Sequence, residues 1–211
     1  MKKEKEAILR GEFEEYKVEC EAALRTTMAK IINVNEFAKI STARNPFGSI
    51  SERIKTYDSV IEKCKRKYAD EPMDIEHIRR NIQDIAGIRI VTLFRDDIYR
   101  VVEILHHIPG FNIDEEKDYV EHPKPNGYSS YHMNIRVEIY SPATGGSKLI
   151  PIEIQIRDKG MDYWASLEHV IKYKNDDPSP EVEGLFKEVA DIITRLSEKA
   201  IELREYSSPS E

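Results

Sequence analysis

Ile150-Pro151-Ile152-Glu153-Ile154-Gln155-Ile156-Arg157 alternates apolar and polar residues to its end. In an extended strand, successive side chains point to opposite faces. Ile152, Ile154 and Ile156 then enter a core, and Glu153, Gln155 and Arg157 stand in a row on the other face. Taken alone, that row is what any amphipathic strand presents to water. A carboxylate in the middle of it is unusual unless it has a partner or a task. Other segments place charged residues where they can converge on Glu153, and they decide against the plain reading.

Composition narrows the class. The chain has 211 residues, 40% hydrophobic and 34% charged, which suits a globular protein with one sizeable core. No apolar run approaches the about 20 residues that span a bilayer, and the charged start Met1-Lys2-Lys3-Glu4 lacks the core of a signal peptide. The two cysteines, Cys20 and Cys64, are far apart. They suit a reducing cytoplasm and argue against a disulfide framework or a cysteine zinc site. The net charge of -7 gives no global attraction to nucleic acid or membrane, so any polyanion must meet a local basic patch.

Outward from the Glu153 strand, the chain reads as interleaved helices and strands. A helix is expected from about Lys3 to Lys30, with Phe13, Tyr16, Cys20, Ala23 and Leu24 at helical spacing. Ser49 or Ser51 is read as the cap of a helix running through Arg53 to Lys67. On it Lys55, Ser59, Lys63 and Arg66 fall at steps of four, four and three, one face offering cations and a hydroxyl in line. A polyphosphate spreads its charge along a similar line; a solvated basic face is the plainer alternative. Residues 53 to 67 carry six Lys or Arg against Asp58 and Glu62, which favours the phosphate reading. A short helix spans about Asp74 to Ile82, and a β-branched strand follows Gly87, with Asp84 just before it and Arg89 inside it. An amphipathic helix covers Asp96 to His107. Strands are expected over Phe111 to Val120 and Ser129 to Tyr140, separated by the Pro-flanked loop His122-Pro123-Lys124-Pro125-Asn126-Gly127-Tyr128. After the Glu153 strand come a helix through Met161 to His169, a linker at Asp176 to Pro180, and a last helix to about Tyr206. Its Val182, Leu185, Val189, Ile192, Leu196 and Leu203 lie near heptad spacing, a stripe that docks on the same chain or on a copy. The pattern is α+β, a mixed sheet flanked by helices. There is no P-loop, no GxGxxG and no His-Asp pair. Any nucleotide must therefore be held by side-chain charge.

Five blocks now resemble a known family. They are Arg53-Ile54-Lys55-Thr56; Gln83-Asp84-Ile85-Ala86-Gly87-Ile88-Arg89; Asp118-Tyr119 through Lys124-Pro125-Asn126-Gly127-Tyr128-Ser129-Ser130-Tyr131-His132; Glu153-Ile154-Gln155-Ile156-Arg157; and Met161-Asp162-Tyr163-Trp164-Ala165-Ser166-Leu167-Glu168-His169. In order and spacing they resemble the synthetase domain of the RelA/SpoT superfamily, and the short length resembles its small alarmone synthetases. The resemblance implies a nucleotidyltransferase-like synthetase fold over residues 46–175, with an N-terminal helical extension at 1–45 and a C-terminal helix at 176–211. It implies transfer of pyrophosphate from ATP to a ribose 3′-hydroxyl with release of AMP. By the same resemblance Asp84 and Glu153 would hold Mg²⁺, with Glu153 also taking the hydroxyl proton. Arg53 and Arg89 would sandwich adenine between planar guanidiniums. Lys55, Ser59, Lys63 and Arg66 would grip the phosphates of ATP. Tyr128 would stack on the acceptor base, and Lys124, His132 and Gln155 would position the acceptor. Trp164 and Tyr163 are read as core.

The chain departs from the pattern at Ser129, where alarmone-making relatives commonly carry Arg. Without that cation, a contact to a di- or triphosphate acceptor is lost. A related toxic branch modifies the 3′ CCA end of tRNA, which has no 5′ polyphosphate, and is encoded beside a neutralising antitoxin. The sequence reading leans to that branch. GDP or GTP as acceptor, giving ppGpp or pppGpp, is the second reading. An inactive nucleotide-sensing module is the third. Whether the last helix pairs subunits into an oligomer stays open.

Overall fold

The computed structural model describes residues 2–42, 44–142, 144–172 and 179–207. Most of the expected linker at 176–180 and the fraying expected at the last residues lie outside that set. The elements, in order, are α1 (Lys2–Ser41), β1 (Ser49–Ile54), α2 (Tyr57–Lys67), α3 (Ile75–Asn81), β2 (Ala86–Thr92), α4 (Asp97–His106), β3 (Asn112–Asp118), β4 (Tyr131–Ser141), β5 (Gly146–Asp158), α5 (Lys159–Lys172) and α6 (Pro180–Ser207). Five strands form one mixed sheet in the order β1-β2-β5-β4-β3. Only the central β2–β5 pair is parallel. The expected α+β class, a mixed sheet flanked by helices with helices at both ends, is the one adopted.

One face of the sheet is the floor of the main core. Ile88, Ile90, Met133, Ile135, Ile152, Ile154 and Ile156 are buried there together with Phe13, Cys20, Leu24 and Ile31 of α1 and Val101 and Leu105 of α4. Each such side chain contributes ~1.5–3 kcal/mol relative to exposure, so this face fixes the strand register. The alternation read in Ile150–Arg157 holds: the isoleucines are buried and the polar row faces away. Cys20 and Cys64 are both free and buried. No helix among the described residues is long and apolar enough to cross a membrane.

The structure corrects three expectations. Ser49 and Ser51 do not cap a helix; they lie in β1, an edge strand paired antiparallel with β2. The helix begins only at Tyr57, and Thr56 caps it by accepting the Ser59 N–H. Ile54 and Tyr57 are three apart, which mimics helical spacing across the strand–helix junction. α1 does not end at Lys30 but runs to Ser41, burying Ile31 and Ala38. Exposed Ile32, Phe37 and Ile40 blur its periodicity in the sequence. In the near-heptad stripe of α6, Val182 and Val189 are partly buried while Leu185, Ile192, Leu196 and Leu203 are exposed; the face most deeply docked on this chain is Phe186, Ala190 and Ile193. Those three join Met161 and Trp164 of α5 in a second core. Tyr163 is 63% exposed while Trp164 is fully buried, since adjacent helical residues are about 100° apart and cannot both face one core.

Candidate active site

The polar face of the sheet is built in rungs. In the first, Arg53 of β1 lies opposite Gly87 of β2, Gly87 beside Glu153 of β5, and Glu153 opposite Asn134 of β4. The next rung carries Ser51, Arg89, Gln155, His132 and Lys117. Directly paired residues share a face, so strands distant in sequence bring their polar side chains side by side. Gly87 leaves a gap in the first rung, and Arg53 lies across it, with Nη2 3.8 Å from Glu153 Oε2. A Cβ on Gly87 would stand 3.3 Å from Arg53 Nε.

Lys55 follows Arg53 by two residues, and its backbone N–H donates to Ile85 at 2.8 Å. Its ammonium binds Asp84 Oδ2, where Lys63 of α2 also arrives at 2.7 Å. Arg53 and Lys55 thus each meet one of the two carboxylates singled out in the sequence. Burial pushes the Asp84 carboxyl up, but the two ammonium groups outweigh it and bring it down to about 2. Burial also pushes Glu153 up, and the hydrogen bonds it receives from His132 and Gln155 work against this and hold it below the usual carboxylate range. The charge of Asp84 is felt at Glu153 and opposes that lowering. Lys55 is pulled below its ordinary value by burial, with Asp84 acting against the pull.

Arg53, Arg66, Arg89, Tyr128 and Gln155 line a cleft of about 690 Å³ whose far wall is α5. A recess of about 140 Å³, lined by Arg53, Arg89, Glu153 and Gln155, adjoins it. The cleft is in the size range of small-ligand sites. Beside it, both oxygens of Glu153 are engaged: His132 Nδ1 lies 3.2 Å from Oε1, and Gln155 Nε2 donates to Oε2 at 2.8 Å. Tyr128 Oη lies 2.8 Å from His132 Nε2. Lys124 sits over the rings of Tyr119 and Tyr128, at 4.6 and 4.9 Å from their centroids. The structure therefore gathers eleven of the twelve residues singled out into two adjoining groups, one around Asp84 and one around Glu153 and Tyr128. The exception is Ser59, whose hydroxyl lies 3.0 Å from Thr56 Oγ1, within the cap of α2.

Three features were missed. Arg157 continues the polar row but is only 4% exposed, beneath Tyr128. Asp162, in the first turn of α5, lies 3.3 Å from Arg89 and 3.6 Å from Arg157. The loop before Tyr128 rests on α6: a Cβ on Gly127 would lie 2.4 Å from Ala190 Cβ. The alternation from Glu153 was a signal for Arg157; nothing local in the sequence signals the α6 contact.

No cluster of three or more His, Cys, Asp or Glu positioned for a metal occurs among the described residues. A Mg²⁺ site needs less, because the ion commonly takes one or two carboxylates and completes its shell with substrate phosphates and water. Asp84 fits that demand. Its Oδ2 is held by the lysines, while Oδ1 is buried with no hydrogen-bond partner among the described residues.

Residues 52–178 match the family described as a region found in RelA/SpoT proteins. The chain is 35% identical over 183 residues to the GTP pyrophosphokinase YwaC of Bacillus subtilis (strain 168), covering 86% of this chain and 85% of that protein. It is 32% identical over 195 residues to the GTP pyrophosphokinase YjbM of the same organism, covering 92% and 89%. The crystal structure of small alarmone synthetase 1 from Bacillus subtilis bound to its product pppGpp aligns at a TM-score of 0.84 and 29% identity, covering 93% of this chain and 98% of that one.

Proposed function

The chain belongs to the RelA/SpoT family, and on that premise we propose that it transfers the β,γ-pyrophosphate of ATP to the ribose 3′-hydroxyl of GDP or GTP. The hydroxyl oxygen attacks the β-phosphorus, the bond from that phosphorus to the α–β bridging oxygen breaks, and AMP leaves with the electron pair. The observation that carries the reading is the juxtaposition of Arg53 with Glu153 and of Lys55 and Lys63 with Asp84, beside a cleft lined by arginines. Catalysis of phosphoryl transfer is mostly positioning and charge neutralisation, and those are what this arrangement offers.

Arg53 and Arg89 flank the smaller recess and are assigned to adenine. Lys55 and Lys63 are assigned to the ATP phosphates, together with Arg66; Ser59 would join them only by turning its hydroxyl away from Thr56. In exchange the lysines give up Asp84, which with Glu153 would hold Mg²⁺. The ion, when bound, neutralises charge developing on the transferred group. Glu153 is ionised and receives the hydroxyl proton. Tyr128, Lys124, His132 and Gln155 are assigned to the acceptor.

The choice of acceptor departs from the sequence reading, which favoured the tRNA 3′ end. Similarity to GTP pyrophosphokinases over 85% and 89% of their lengths supports a guanosine nucleotide. The tRNA end remains the second reading, because Ser129 is 2% exposed and offers no cation to 5′ phosphates. Incubating the protein with ATP labelled in the β and γ phosphates, in parallel with GDP, GTP and tRNA, tests the assignment. Label in guanosine nucleotides supports it; label in tRNA alone would transfer it to the second reading.

A further inference from the structure

A buried guanidinium is costly unless its charge and its donors are matched. Arg157 is matched at two of its three nitrogens, Nη2 and Nε, while Nη1 is buried with no hydrogen-bond partner among the described residues and has only the charge of Asp162 3.6 Å away. Its Nη2 donates to Tyr128 Oη at 2.9 Å and to Gln155 Oε1 at 2.6 Å. Its Nε donates to Ser130 Oγ at 3.4 Å, and its guanidinium carbon lies 5.3 Å from the Tyr128 ring centroid. The counter-charge is Asp162, whose Oδ1 it shares with Arg89.

Arginine has only donors, so it sets the direction of every hydrogen bond that leaves it. Along one arm, Gln155 must present its oxygen to Arg157. Its amide nitrogen is then turned to Glu153 Oε2, 2.8 Å away. Along the other arm, Tyr128 Oη accepts from Arg157 and lies 2.8 Å from His132 Nε2; because the Glu153 carboxylate only accepts, the ring must meet it with Nδ1–H, which leaves Nε2 to accept the Tyr128 proton. A neutral imidazole that accepts at Nε2 carries its proton on Nδ1. That N–H is then aimed at Glu153 Oε1, 3.2 Å away. Both arms start from one guanidinium and end on the two oxygens of one carboxylate.

We propose that Arg157 is a positioning residue: it fixes the amide orientation of Gln155 and holds the Tyr128 hydroxyl where its proton supports the Nδ1–H tautomer of His132, so that Gln155 and His132 both donate to Glu153, while Asp162 is the counter-ion that retains it. The inference rests on the reading above, in which Glu153, Gln155, His132 and Tyr128 serve the reaction. Lysine at 157 keeps the charge but has no planar fork to reach the phenol and the amide together.

The test is nitrogen NMR of the full chain labelled at histidine, without nucleotide and at alkaline pH, with the ring assigned by its loss in His132→Asn. The expected result is a protonated Nδ1 and a bare Nε2. Tyr128→Phe, which cuts one arm without touching the core charge, is expected to shift the population toward Nε2–H, and Arg157→Lys is expected to do the same. Kinetically, Arg157→Lys raises the KM for the acceptor on the order of tenfold, the weight of about one hydrogen bond, and raises the KM for ATP less, because it reaches the ATP side only through the Asp162 carboxylate it shares with Arg89. A proton on Nε2 in the unmodified protein would overturn the proposal. So would an unchanged tautomer in Tyr128→Phe, a variant that keeps the ring and tests the arm even where Arg157→Lys does not fold. Absence of pyrophosphate transfer to every acceptor would count against the functional reading instead, while the nitrogen spectrum would still judge the network.

Discussion

His132 Nδ1 lies 3.2 Å from Glu153 Oε1, so the carboxylate assigned to the reaction is held by the neighbouring strand rather than left to turn in the cleft. With Gln155 on Oε2, it keeps one orientation relative to the acceptor. Glu153→Gln preserves the shape and the strand but not the charge. Turnover is expected to fall about 10²–10⁴-fold, the usual weight of a positioned acid–base group, while ATP binding measured by calorimetry stays within about threefold. Retained turnover would refute the role given to Glu153.

Asp84 makes stability depend on acid. Its carboxyl sits at about 2 in the folded chain against 3.8 for the ordinary group. The native state therefore binds this proton less readily than the unfolded chain, and the stabilisation is present above pH about 4. It is lost as pH falls toward 2, and the loss amounts to about 2 kcal/mol. Urea unfolding at successive pH values is expected to show this loss in the natural chain and not in Asp84→Asn. Equal slopes in the two proteins would mean that the lysines do not hold the carboxylate in solution.

Gly127 lies at φ 87, with Ala190 Cβ only 2.4 Å from where its own Cβ would be. Gly127→Ala meets backbone strain and a wall of α6 at once, at a cost of about 1–3 kcal/mol. The loop it carries also bears Lys124 and Tyr128. The KM for the acceptor is expected to rise several-fold while that for ATP stays near its original value. Equal change in both would show that the loop acts on the whole site rather than on the acceptor side.

What was legible in the sequence was whatever a short stretch encodes by itself. The alternation of Ile150–Arg157 gave β5 its buried face and its polar row. The block Asp84 to Arg89 showed a carboxylate, a small residue and a cation at a strand entrance, and the sheet places all three as expected. β1 was not legible, because Ser-Ile-Ser-Glu-Arg-Ile is short, polar and exposed on an edge, and a helical cap reads the same in that context. Arg157 was misjudged for a different reason. Its direction followed from alternation, but its burial depends on Tyr128 and α5, which arrive from elsewhere. The support that α6 gives to the acceptor loop joins residues about sixty positions apart, and no local pattern announces such a contact. Tyr163 and Trp164 show the same limit at close range: the aromatic pair was visible, and only packing decided which member turned inward.

The account stands most directly on what leaves the donor nucleotide. Purified protein with ATP, Mg²⁺ and GDP is expected to release AMP in equal amount to a guanosine product that has gained two phosphates at the 3′ position, as followed by phosphorus NMR. Release of ADP, or of AMP with free pyrophosphate and no modified acceptor, would contradict pyrophosphate transfer between the arginine-lined cleft and Glu153.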